Sequence, residues 1–222
     1  MERPFECRCD PSFAPLLEPG TLDALETRRD TAYGLWPDLT LAYMNPAWFK
    51  FAEFNGGGES LADRWRVGRS TLDAVPKPLQ AWYRSFLAEA STPGLKPAFH
   101  EYECSSPDVY RRYVMTVYPK HLGDLAGLLI IHSLRVEVAH PLTGRAAEPP
   151  DMRAYVDRNG LIHQCMHCRR IRTTADPSLW HWVPDWVRQP MPQTSHDLCR
   201  ICMHHYYGQG GGTEMQEGSE AG

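Results

Sequence analysis

Leu35-Trp-Pro-Asp-Leu-Thr-Leu-Ala-Tyr-Met-Asn-Pro-Ala-Trp48 carries a strand, a turn, a second strand and the opening of a helix in one short run. Ala32–Trp36 reads as the first strand, and Pro37-Asp38 supplies the turn chemistry. Leu39–Met44 reads as the second strand. Asn45 can then cap a helix, and Pro46 suits the first helical position. Trp48, Phe51 and Ala52 form the apolar side of that helix, and Gly56-Gly-Gly58 is expected to end it.

Outward from this stretch the pattern continues in both directions. A second helix is expected over Pro78–Ala90, with Leu79, Trp82, Phe86 and Leu87 on one side. Three strand-like runs follow at Ala98–Cys104, Tyr110–Tyr118 and Leu125–Leu134. Ser105-Ser-Pro-Asp108 and His121-Leu-Gly-Asp124 make the turns between them. Two strands, helices and then three meandering strands define an α+β fold with a five-stranded antiparallel sheet and helices on one side. Upstream, Thr21 is expected to cap a short helix carrying Leu22 and Leu25. The prolines of residues 1–20 suggest a loose N-terminal arm. The resulting division is an arm over 1–20, a first domain over 21–140, a linker over 141–150, a cysteine-bearing unit over 151–207 and a disordered tail over 208–222.

The stretch from Tyr33 to Ala52 resembles a PAS domain, the ligand-sensing module of bacterial signalling proteins. Val67-Gly68-Arg-Ser is similar to the middle loop of that family. Glu101-Tyr-Glu-Cys104, Arg112-Tyr113 and Ile131-His132-Ser133 resemble parts of its last three strands. The resemblance covers about Thr21 to His140 and implies a sensor fold around a small cavity. Such a cavity can bind a small-molecule ligand or be filled by side chains. Its expected lining is Tyr43, Trp48, Phe51, Trp82, Phe86, Met115, Ile130 and His132, with aromatic residues at these spacings reading first as core. His132, in an apolar strand, reads as a hydrogen-bonded core histidine rather than a haem ligand. The reactive-cysteine motif of the flavin-binding branch is missing, so neither haem nor flavin is expected.

Cys165-Met-His-Cys168 and Cys199-Arg-Ile-Cys202 carry the second signal. Two residues between cysteines let both sulfurs of a tight turn face one ion, about 2.3 Å from a zinc. Two such pairs close a tetrahedral shell with no open position, which reads as a structural zinc site in a knuckle- or ribbon-like unit. His196, three residues before Cys199, is the alternative ligand should a histidine replace one sulfur. Redox-active dithiols would want a βαβ context, which is absent. Iron knuckles favour Gly after the second Cys, where Arg169 and Met203 stand, so zinc is preferred. Trp180, Trp182, Val183, Trp186 and Val187 are expected to form a short amphipathic segment over the knuckles. A unit this small has little core, so metal binding would supply its folding free energy. The segment also resembles a tail found after sensor or receiver domains in bacterial signalling proteins, of the form Cys-x-x-Cys, Trp, Ser-His-Gly-x-Cys-x-x-Cys. Here Asp197 replaces that Gly, which puts the local loop geometry in question.

Bulk properties bound the function. The 222 residues are 42% hydrophobic, ample for a core, and the net charge of −4 disfavours broad nucleic-acid binding. Met1-Glu-Arg-Pro lacks the basic start and apolar run of an export signal, and no apolar stretch is long enough to span a bilayer. A cytoplasmic protein with reduced thiols is therefore expected. No phosphate loop or paired carboxylates suggest an enzyme, and Glu is absent from 151–207. The leading expectation is a signalling protein acting through a protein partner or a homodimer. The alternatives are a thiol-based sensor that releases zinc on oxidation, or a DNA-binding regulator using the Arg strip at Arg169, Arg170 and Arg172.

Overall fold

The computed structural model describes residues 3–54, 65–92, 94 and 96–208. The expected helix stop at Gly56–Gly58 and the expected tail beyond Gly208 lie outside these residues.

Five strands form one antiparallel sheet: β1 (Thr31–Leu35), β2 (Leu41–Met44), β3 (Ala98–Glu103), β4 (Val109–Leu122) and β5 (Leu125–Ala139). Their spatial order is β2-β1-β5-β4-β3. Helices α2 (Pro46–Phe54) and α3 (Lys77–Ala90) pack on one face. The core there is Leu35, Met44, Leu87, Met115, Val117, Leu128 and Ile130, with Trp48, Tyr83 and Phe86 packed against it.

Asn45 explains why its stretch starts a helix. Its side-chain oxygen accepts from the backbone N–H of Trp48 at 3.1 Å, capping α2, and from that of Ala32 at 3.0 Å, tying the helix to β1. Its amide donates to the carbonyls of Leu25 and Asp30, so a fully buried polar group is satisfied on both sides.

Several boundaries differ from the sequence reading. β2 begins at Leu41 because Leu39 takes a left-handed conformation, φ 67°, to close the turn. Leu39 donates to the carbonyl of Trp36, and Asp38 accepts from the backbone N–H and hydroxyl of Thr40. α1 (Pro19–Thr27) starts at proline rather than being capped by Thr21, as suits a residue with no N–H to satisfy. β4 and β5 are much longer than expected and close through Gly123, φ 57°, in a two-residue turn.

The N-terminal segment is not a loose arm. Phe13, Leu16 and Leu17 are buried against Ala32, Ala42, Leu129 and Ile131 on the sheet face opposite α2 and α3. A Cβ on Gly34 would lie 2.3 Å from Cε1 of Phe13, and one on Gly127 would lie 2.7 Å from Cε2. The two glycines therefore form the slot that admits the Phe13 ring. Residues 8–10 also hydrogen-bond to β2, from Asp10 N–H to Ala42 and from Met44 N–H to Arg8, which covers the sheet edge. Arg8 pairs with Glu26 beneath, and Glu26 accepts from the Tyr43 hydroxyl at 2.7 Å.

Beyond the sheet, a second unit has its own four-stranded sheet in the order β8 (Trp180–His181), β7 (Ile171–Arg172), β6 (Ile162–Cys165), β9 (Thr194–Asp197). It also comprises α4 (Met152–Tyr155), α5 (Pro184–Arg188) and α6 (Arg200–Tyr207). Tyr155, Ile162, Ile171, Val183 and Trp186 are its small core. Among the described residues no helix is long and apolar enough to cross a membrane.

Candidate metal centre and its junction with the sheet

β6 and β7 form a hairpin whose turn carries Cys165 and Cys168. Arg169 N–H donates to the carbonyl of Cys165, and Cys165 N–H to that of Arg170, closing the knuckle. Arg169 takes the left-handed position at φ 59°. The glycine expected of an iron knuckle is therefore not needed for this turn, and its absence does not choose between the metals. β9 runs parallel to β6 and sets Asp197 beside Cys165. Asp197 is an ordinary strand residue, so its replacement of the glycine expected there does not disturb the loop; its carboxylate instead accepts from Nδ1 of His163. Cys199 then caps α6, its sulfur accepting from the backbone N–H of Cys202 at 3.4 Å.

The four sulfurs of Cys165, Cys168, Cys199 and Cys202 lie within 4.8 Å of one another and are all buried. The Cys168 and Cys199 sulfurs are 3.8 Å apart. A tetrahedron with metal–sulfur bonds of about 2.3 Å has edges near 3.8 Å, so the spacing fits a single ion held by this set. Hydrogen bonding among the touching thiols polarises them. Sharing of protons within the cluster, chiefly with Cys168 for Cys165 and with Cys165 for Cys199, pushes these two thiols down. Cys168 and Cys202 are raised, each chiefly through Cys165. The four cysteines can hold a metal ion. His196 is exposed on β9 and is not part of the sulfur cluster.

Of the expected aromatic cover, only Trp180 packs on the sulfurs, with Leu198 and Tyr206. Trp186 and Val183 belong to the separate small core. Trp182 reaches out of the unit, its ring 4.2 Å from that of His140.

The residues that join the two units were not singled out by the sequence. Nη2 of Arg145 donates to both oxygens of Glu103 on β3, at 2.8 and 2.9 Å, and both side chains are almost fully buried. Nη1 of Arg145 donates to the carbonyl of Cys168 at 3.3 Å. The same guanidinium sits over the rings of Tyr110 and Trp182. The segment expected as a plain linker is therefore pinned; Ala147 also bridges to Trp182. His167, between the first two cysteines, donates from Nδ1 to the carbonyl of Glu103 at 2.9 Å. Its Nε2 then accepts from the Tyr207 hydroxyl at 2.7 Å. Burial lowers the His167 pKa, in keeping with the neutral ring these two bonds require. Arg169 points Nε at the carbonyl of Ser105, so the expected Arg strip is not one continuous outward face.

The eight expected cavity residues are not brought into one site. Trp48, Phe86, Met115 and Ile130 fill the core under α2 and α3. Phe51 and His132 line an open groove of about 760 Å³ with Tyr113 and Leu134. Trp82 lies at the junction, against His100 and Tyr207. Tyr43 is on the opposite sheet face with Phe13. The register between β1 and β2 pairs Gly34 with Tyr43 and Leu35 with Leu41, leaving Ala42 as an extra residue. That bulge shifts the alternation, so Tyr43 and Leu41 face opposite sides. His132 is bonded at Nδ1 to the Tyr102 hydroxyl, 2.7 Å, and at Nε2 to the Tyr33 hydroxyl, 3.3 Å. Desolvation among these rings pushes its pKa down to about 4.

A five-stranded antiparallel sheet ordered β2-β1-β5-β4-β3, with helices packed on one face and a helix opened by Asn45-Pro46-Ala47 after the first hairpin, settles the architecture. This layout matches that of PAS folds. The PAS domain of BvgS from Bordetella pertussis is similar at 17% identity and a TM-score of 0.42, over 55% of this chain and 88% of that one. The PAS domain of an HTR-like protein from Haloarcula marismortui has 17% identity and a TM-score of 0.33, over 52% of this chain and 90% of its own. That of nitrogen regulation protein NR(II) from Vibrio parahaemolyticus has 15% identity and a TM-score of 0.30, over 51% and 95%. No protein-family model matches the chain, and no curated protein matches it. The PAS unit thus carries at its β3 edge a second unit built around four thiols.

Proposed function

We propose that this chain is a cytoplasmic, non-enzymatic signalling protein in which the PAS unit senses a small ligand or a partner and the C-terminal unit, folded around a structural zinc, passes the change on by protein contact. One observation carries the reading: the knuckle and the segment before it are bonded directly to β3, through Glu103, Arg145 and His167. A shift of the sheet that favours one position of β3 would bias the C-terminal unit by the same differential free energy. Zinc suits a closed shell of four thiolates that needs neither redox chemistry nor an open position. The full burial of the sulfurs supports a structural role over oxidative release, since peroxide must reach a thiolate to act.

Two measurements on the full chain test this. Elemental analysis with an absorption spectrum should give one zinc per chain and no visible band; a coloured iron protein or a metal-free native fold would defeat the metal assignment. His132→Gln, on β5 and away from the sulfurs, should shift backbone amide resonances in β6 and α6. Shifts confined to the PAS unit would defeat the relay.

A further inference from the structure

Two side chains of the C-terminal unit that meet the PAS unit's aromatic face come from opposite halves of the candidate metal centre. His167 lies inside the first cysteine pair. Tyr207 ends α6, the helix that Cys199 caps and that contains Cys202. The two meet at the hydrogen bond between the Tyr207 hydroxyl and Nε2 of His167, with their rings stacked at 5.6 Å.

Tyr207 is buried in a pocket of the PAS unit. Its ring stands edge-on to Trp82 of α3 at 4.9 Å and lies 5.2 Å from His100 of β3. Tyr83 approaches from the same helix at 6.4 Å. His100 is itself buried, and its Nε2 has no hydrogen-bond partner. Aromatic rings packed edge-on or tilted in this way attract one another beyond the area they bury. The pocket is therefore a real docking site for a phenol, filled from within the chain.

β9 delivers Cys199 to the knuckle, but the chain leaves the sheet after Asp197. An ion shared by Cys199 and Cys202 with the knuckle would fix the direction in which α6 leaves. The apolar packing around the sulfurs is slight, limited to Trp180, Leu198 and Tyr206.

We infer that the four-thiolate centre is a metal-gated latch: with the ion bound, α6 holds Tyr207 in the Trp82–His100 pocket, and without it α6 detaches and uncovers that face of α3 and β3. The inference rests on the metal assignment proposed above. Linkage makes it reciprocal: if the ion favours docking, docking tightens the ion by the same factor.

Hydrogen exchange on the full chain tests the latch, with zinc supplied as the metal alone and removed by a chelator. Stripping zinc should speed exchange in residues 77–90 and 98–103 by about tenfold or more while β1 keeps its protection. Tyr207→Ala, zinc-loaded, should show the same opening, and should bind zinc about 5–150-fold more weakly in a competition titration. Tyr207→Phe keeps the ring and should open less than Tyr207→Ala. Unchanged protection in α3 and β3, either after zinc removal or in Tyr207→Ala, overturns the latch and leaves the metal centre standing. If the wild-type chain takes up no zinc, the metal centre and the latch fall together.

Discussion

Removing the Glu103 carboxylate should reveal how firmly the two units are joined. In Glu103→Ala the Arg145 guanidinium, 10% exposed, loses both oxygens it now contacts at 2.8 and 2.9 Å. Ser105 loses the acceptor for its hydroxyl as well. An exposed ion pair of this length contributes about 0.2–1 kcal/mol. A buried one that loses a single partner costs about 3–5 kcal/mol, because a charge is left desolvated. The burial of both side chains places this pair in the second class. The Cys168 carbonyl and the rings of Tyr110 and Trp182 retain some hold on the cation. The lower end, about 3 kcal/mol, is therefore expected. Arg145→Met should cost a similar amount by stranding Glu103. The double variant Glu103→Leu with Arg145→Met strands neither charge and should recover most of the loss. Urea unfolding at fixed excess zinc, arranged as a double-mutant cycle, measures the coupling directly. Single-variant losses below about 1 kcal/mol, with no recovery in the double, would show that the pair is effectively solvated and that the junction does not depend on it.

Two further outcomes follow from the PAS unit itself. Phe13→Ala should lower stability by about 3–5 kcal/mol in thermal or urea unfolding, since the ring is wholly buried between Gly34 and Gly127; a loss under about 0.5 kcal/mol would mean the N-terminal segment is loose after all. Stability should also fall in mild acid. Burial holds His132 at about 4 in the folded chain against 6.5 unfolded, so the unfolded state takes up the proton first. Its contribution is complete above pH 6.5 and declines by about 1.4 kcal/mol per pH unit as the pH falls towards 4. His100, also lowered to about 4 by burial, adds the same slope. Urea midpoints at pH 7.5, 6.5 and 5.5 should show this, with a shallower slope in His132→Phe; equal slopes in the two proteins would contradict the assignment.

The sequence alone was enough for the parts of this protein that depend on local pattern. Alternating apolar residues, Pro37-Asp38 and Asn45-Pro46 specify strands, a turn and a capped helix within a few residues of one another, because backbone hydrogen bonding and side-chain periodicity are short-range. The two cysteine pairs were legible for the same reason: each is a tight turn whose spacing suits one ion. What required the folded chain were facts about which distant surfaces meet. An extra residue at Ala42 reversed the facing of Tyr43, an effect of strand register that period-two reading cannot see. Phe13 found its place only because Gly34 and Gly127, far apart in sequence, lie side by side. Glu103, Arg145, His167 and Tyr207 look like ordinary surface or linker residues until two units are brought together. Desolvation then turns them into a junction, since burial is a property of the assembled structure and not of any residue by itself.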